Sequence, residues 1–132
     1  MKRLIRRCML IFIVTAGSLS ACNMERPTVE TSKTEREQRA MEALAWVEDA
    51  DAERDAQRAL DRGDTALLGI ASRVTVLPGI PSSEYARYKT KCGVRLLPGS
   101  SDRVYGKRHL ELLKKMHRYA ERYNRIIKDA CN

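Results

Sequence analysis

The sequence predicts a small α+β domain, or a small α/β one, in the order helix, strand, short helix, strand, long helix. Three observations predict it. Residues 35–62 are strong helix formers with no Gly or Pro; the segments 74–79 and 94–99 each run from strand-favouring residues into a Pro-Gly stop; and apolar residues from Leu112 to Ala130 recur at the helical period.

The first helix places Met41, Leu44, Ala45, Ala52, Ala56, Ala59 and Leu60 near one face. Gly63 stands where a residue just past a helix end belongs, and Asp49-Ala50-Asp51 marks a point at which the helix divides into two shorter ones. Residues 65–77 read two ways. Leu68, Ile70, Val74 and Val76 alternate as in a strand, while Leu67, Ile70, Ala71 and Val74 fit a helical spacing. The β-branched Val74-Thr75-Val76 before Pro78-Gly79 favours a strand in the second half.

Val74-Thr75-Val76-Leu77-Pro78-Gly79 is echoed by Val94-Arg95-Leu96-Leu97-Pro98-Gly99, and Tyr85 by Tyr105. The echo reads as two copies of strand then turn; the plainer account is that Pro-Gly ends each strand. Between them, residues 82–91 form a short helix capped by Ser82 or Ser83, with lysines at its carboxyl end that suit the helix dipole. The separation is long for a hairpin and adequate for a helical crossover. Were the strands parallel, both Pro-Gly loops would lie at one sheet edge and frame a small ligand site.

The final helix gives the cleanest signal. Leu112, Leu113, Met116, Ala120, Tyr123, Ile127 and Ala130 fall on one face, which makes the helix a core element. Lys107, Lys114, Arg118, Arg122, Arg125 and Lys128 fall opposite, with Glu111, Glu121 and Asp129 among them. Before it, the segment Pro98-Gly99-Ser100-Ser101-Asp102 either caps the helix through Ser101 or Asp102 or offers free amides to an anion; the cap is favoured.

The amino-terminal segment is an address. Lys2, Arg3, Arg6 and Arg7 precede an apolar run from Cys8 to Ala16, too short to cross about 30 Å of hydrocarbon as a helix. Small residues then lead to Leu19-Ser20-Ala21-Cys22. This string resembles the lipobox of bacterial lipoproteins, and the resemblance is confined to residues 1–22. It implies removal of residues 1–21 as a signal peptide and acylation of Cys22. It also implies a membrane partner through the acyl chains, since several chains at about 0.8 kcal/mol per buried methylene hold a protein stably. Asn23, where retention would need aspartate, implies transfer to the outer membrane, facing the periplasm. Residues 22–34 are polar, with Pro27, Thr28, Thr31, Ser32 and Thr34, and read as a flexible tether ahead of a domain over 35–132.

The formal charge of +8 overstates the basic character of that domain. Without the four leader cations, 21 basic residues face 17 acidic ones, leaving +4. Mixed signs at that level give no reason to expect nucleic acid. The leader also holds Phe12, the single phenylalanine, so the core relies on Leu, Ile, Val and Ala with Trp46 and the tyrosines.

With Cys8 lost and Cys22 acylated, Cys92 and Cys131 remain. In an oxidising exported compartment they are expected to join; the alternative is two buried free thiols, with a metal site well behind. Lys114, Arg118, Arg122 and Arg125 form a candidate surface for anionic headgroups, lipopolysaccharide phosphates or an acidic partner, although interspersed acids also suit a merely solvated face. His109 and His117 lie about 80° apart around the last helix and form no metal motif. His117 and Glu121, one turn apart, are the best that a metal-dependent activity could use, and an ordinary surface pair explains them better. No nucleophile with its base, phosphate loop or zinc spacing occurs, so neither an enzyme nor a cofactor is expected. The sequence therefore points to a cell-envelope lipoprotein of binding or structural type, contacting an envelope protein through the sheet edge or the basic helix. An exclusion or immunity-type shielding lipoprotein would have the same features.

Overall fold

A computed structural model of the chain describes residues 33–131. The leader, Cys22 and all but the end of the expected tether lie outside the described residues. The domain is built on its last helix, α4 (Lys107–Ala130), whose apolar period sends Leu112, Met116, Ala120, Tyr123 and Ile127 into the core. Against it pack α1 (Lys33–Leu44), α2 (Ala52–Asp61), α3 (Tyr85–Cys92) and a two-stranded sheet of β1 (Leu67–Gly69) and β2 (Val94–Leu96). These elements make a small α+β fold in the predicted order, with the first helix divided in two.

The division falls close to Asp49-Ala50-Asp51. A 3₁₀ turn, Ala45–Glu48, follows α1, and α2 starts afresh with Asp51 as its cap, the carboxylate accepting from the Arg54 N–H at 3.0 Å. The helix is already formed at Lys33, two residues before the expected boundary. α1 is polar nearly all round and buries fully only Leu44. α2 instead shows α4 a stripe of Ala52, Ala56 and Ala59, small enough for the two helices to approach closely. It ends as expected at Gly63, where the Gly63 and Asp64 N–H groups take up the Leu60 and Ala59 carbonyls.

The first strand is not where the β-branched residues suggested. Leu67-Leu68-Gly69, buried on both faces, pairs in parallel with Val94-Arg95-Leu96, while of residues 74–76 only Val76 reaches the sheet, through an isolated antiparallel bridge to Ile70. The edge of β1 away from β2 is met at Leu68 by a side chain. There Asn124, fully buried on α4, accepts from the Leu68 N–H through Oδ1 at 2.7 Å and donates through Nδ2 to the Leu68 and Pro78 carbonyls, both at 2.9 Å. A side-chain amide thus occupies the position of a neighbouring strand and satisfies backbone groups that burial would otherwise strand. Residues 71–75 form the loop that closes the Ile70–Val76 bridge, and Val74 on it is 72% exposed.

A parallel pair needs a crossover, and a 3₁₀ turn (Ser82–Glu84) with α3 supplies it. Neither Ser82 nor Ser83 caps this helix. Pro81 precedes the turn in extended conformation, the Glu84 N–H goes to the Pro81 carbonyl, and Lys89 and Lys91 occupy the last turn as expected. The two Pro-Gly segments do repeat as turns, since Gly79 and Gly99 share a φ of 80° that prolyl-glycyl turns require. They do not frame a common site: Gly79 packs against Glu121 of α4, and Gly99 lies so close to α1 that a Cβ would stand 2.6 Å from the Ala43 carbonyl oxygen.

α4 is not capped by Ser101 or Asp102. Its first residue follows Gly106; Ser101 Oγ accepts from the Arg103 N–H, and Asp102 accepts from the Arg73 N–H, because both side chains are used to brace loops. Two members of its predicted apolar face are also displaced, Leu113 being half-buried and Ala130 exposed, while His109 and Asn124 take buried positions. Cys92 and Cys131 form a disulfide with a Cα–Cα distance of 5.6 Å, joining the end of α3 to the residue after α4.

Asn124→Ala should lower the unfolding free energy by about 3 kcal/mol, because buried Leu68 groups lose their partners; urea denaturation measures it. Closing a loop with a sequence separation of 39 should be worth roughly 4 kcal/mol in the chain-entropy model. The paired Cys92→Ser, Cys131→Ser variant should lose about that much in the same titration.

Candidate functional site

The regular spacing of α4 places Lys114, Arg118, Arg122 and Arg125 on its exposed side, as the sequence indicated. The structure divides them. Lys114 pairs with Glu111 at 3.0 Å and Arg125 with Glu121 at 3.5 Å, exposed pairs of little energetic weight. Arg118 and Arg122 make no ion pair among the described residues, and both line a cleft of about 390 Å³ between α4 and the start of α2.

This cleft has walls of opposite sign. Lys115, Arg118 and Arg122 stand on the α4 side; Glu48, Asp51 and Glu53 stand on the other, with Val47, Ala50, Ala52 and Tyr119 between. Two of the acids are already engaged. Glu48 pairs with Arg108 and lies 4.0 Å from Lys115, and one Asp51 oxygen caps α2. Positive charge on α4 is therefore balanced less completely than a count of lining residues suggests.

Beneath the cleft an aromatic stack fixes the walls. Trp46 meets Tyr119 edge-on at 5.3 Å, and Tyr119 leans on Tyr123 at 6.3 Å, joining the 3₁₀ turn to α4. The Tyr119 hydroxyl donates to Asp55 of α2 at 3.2 Å, and burial, with the Asp55 charge adding, holds this phenol far above its ordinary range. Burial also raises Tyr123, opposed by Arg95, which donates to its hydroxyl at 3.3 Å and pairs with Asp64 at 2.8 Å. The Asp64 carboxyl is lowered by the Ala66 N–H first and by Arg95 second. Both phenols stay neutral at physiological pH, so they are hydrogen-bonding groups that hold the walls in place.

Glu121 is engaged with Arg125, and no group of three or more His, Cys, Asp and Glu placed to hold a metal ion occurs among the described residues. His109 is a core residue. Its Nδ1 accepts from the Tyr105 N–H at 3.2 Å, which leaves the proton of the neutral ring on the buried Nε2. Desolvation lowers its pKa, with Glu37 acting in the opposite sense.

Sequence reasoning found the arginines and missed the opposing wall, because Glu48, Asp51 and Glu53 belong to a segment whose division into turn and helix sets their direction. Lys115 and Asn124 were missed as well. The signal for Asn124 was present: a poor helix former beside Tyr123 on the apolar stripe. The chain matches no protein family, no curated protein and no solved structure with which it was compared.

The lowered pKa of His109 has a definite sign for stability. Below the unfolded value of about 6.5 the unfolded chain binds the proton more readily. The stability contributed by the neutral ring is therefore present above that value and lost as pH falls. Thermal melts should shift downward between pH 7 and 5, and His109→Asn, whose oxygen can replace Nδ1 opposite Tyr105, should flatten that slope. An unchanged slope would assign the titration to other groups.

Proposed function

We propose that the chain is a cell-envelope lipoprotein, held at the outer membrane by acyl chains on Cys22, whose domain binds an acidic envelope protein through the Arg118 and Arg122 cleft. The order of cations, short apolar run, small residues and cysteine in residues 1–22 supports the anchoring. The observation that carries the binding role is the pair of arginines, one turn apart beside a cleft and without ion-pair partners among the described residues, on a helix whose Arg108, Lys114, Lys115 and Arg125 are paired. Arginine keeps its charge at any physiological pH and its planar fork matches a carboxylate in two-point fashion. Acidic side chains from a partner would thus gain directional contacts there. The Cys92–Cys131 bond is in keeping with an oxidising compartment.

Two measurements test this reading. Mass spectrometry of the product purified from its native membranes should find Cys22 as the first residue, bearing diacylglycerol; an unmodified thiol or a retained leader would refute the anchoring. Photo-crosslinkers placed beside the cleft in intact cells should capture one defined envelope protein, and the Arg118→Glu, Arg122→Glu variant should lose at least about tenfold of that capture, the equivalent of about 1.4 kcal/mol. Recovery of lipid alone would count against the binding role.

A further inference from the structure

We propose that the pole of the domain where α1 begins is a lipid-contacting tip: loops 72–74 and 102–106 rest on a bilayer containing anionic phospholipid, with Val74 and Val104 among the headgroups. This rests on the reading of Cys22 as the acylated residue.

The two loops form one unit. The Arg73 N–H donates to Asp102 at 3.1 Å and the Ala71 N–H to Ser100 Oγ at 3.2 Å. Within the loops, Ser101 Oγ accepts from the Arg103 N–H at 3.1 Å and the Ser72 hydroxyl donates to the Val74 carbonyl. Several backbone groups are thus satisfied by neighbouring side chains, which lowers the cost of taking the loops into a partly dehydrated layer. Each loop carries the pair Arg-Val, as Arg73-Val74 and Arg103-Val104. Both valines are largely exposed, at 72% and 50%. Two separated apolar points flanked by guanidinium groups suit shallow insertion with cations at phosphate level better than they suit a continuous protein groove.

Charge at this pole fits the same partner. Lys33, Arg36 and Arg103 line a cavity of about 430 Å³ with Val104, Tyr105 and Gly106, and Glu37 is its one acidic residue. Lys107 follows directly, and the first turn of α4 has no acidic residue, an arrangement opposed to the helix dipole that helix stability alone would not favour. The acids nearby are Glu35, Glu37 and Asp102, the last being turned to the Arg73 N–H. Tyr105 adds an amphipathic ring of the type that settles at headgroup depth.

The path of the chain brings this surface to the membrane. Lys33 lines the same cavity as Arg103 and Val104, so the polypeptide coming from Cys22 meets the domain at the tip. Even fully extended, the link from 22 to 33 reaches only about 40 Å. A weak tip contact then becomes intramolecular, at an effective concentration in the millimolar range. The disulfide lies at the other end of α4, about 36 Å away for its 24 residues. Docking by the tip stands the helix away from the lipid and displays the arginine cleft to the periplasm.

The test uses the full chain, expressed with export and reconstituted into vesicles of phosphatidylcholine with or without phosphatidylglycerol, the acyl chains brominated. Single tryptophans are added as Val74→Trp, Val104→Trp or Lys91→Trp, with the parent chain and its Trp46 as baseline. Each variant should float with the vesicles, and brominated lipid should quench the added tryptophan at the tip at least about threefold more than at Lys91, which lies beside the disulfide. Arg73→Glu with Arg103→Glu should abolish that difference while flotation persists, and vesicles without phosphatidylglycerol should do the same. A chain that floats with an unquenched tip overturns the tip alone. A chain that stays soluble overturns the acylation as well. Tip tryptophans shielded in native membranes but unquenched in pure lipid would assign the surface to a protein and overturn the proposal.

Discussion

The fold depends on one side-chain amide. Asn124 meets both polar groups of Leu68 and reaches the Pro78 carbonyl, so a single buried group on α4 fixes the position of β1 and of the turn at Pro78-Gly79. A strand of three residues cannot close a sheet by itself, and a two-stranded parallel ladder is a weak structure in isolation. Docking one edge of that ladder on a long helix through oriented hydrogen bonds makes it part of the core. The pairing also sets register, because sliding β1 by one residue would present its other row of backbone groups and leave the amide unmatched.

This dependence explains which parts of the fold were legible in the sequence. The last helix was legible because Leu112, Met116, Ala120, Tyr123 and Ile127 follow a period that only one structure satisfies. The end of α2 at Gly63, the cut near Asp51 and the joining of Cys92 to Cys131 were legible because each follows from local chemistry or from elimination. The strand at 67–69 was obscured. Its residues fit two periods, and the group that holds its outer edge in the core is an asparagine more than fifty positions away. Caps at Ser82, Ser83, Ser101 and Asp102 failed for a related reason. The residue types were right for capping, but Ser101 and Asp102 bond to neighbouring loops, and Pro81 starts the crossover without a side-chain cap.

The candidate site shows the same division. That Arg118 and Arg122 share a face is a matter of helical spacing and needs no tertiary information. That they differ from Lys114 and Arg125 is a matter of neighbours, since Glu111 and Glu121 engage the outer two while the inner pair faces a wall made by another part of the chain. The rigidity of that wall comes from neutral groups. Trp46, Tyr119 and Asp55 tie the 3₁₀ turn, α4 and α2 together, and burial keeps the phenol protonated so that the tie is insensitive to pH over the ordinary range.

The uneven burial of the helices has a mechanical consequence. α1 contributes Leu44 as its single fully buried side chain, whereas the segment from Cys92 to Cys131 is a covalent ring that includes β2 and α4. Tension applied from the amino-terminal side therefore loads α1 before it reaches anything within the ring. The first helix can peel away turn by turn as an extensible leash, while the bond keeps the two ends of the segment from Cys92 to Cys131 together, so that this segment cannot be drawn out to its full length.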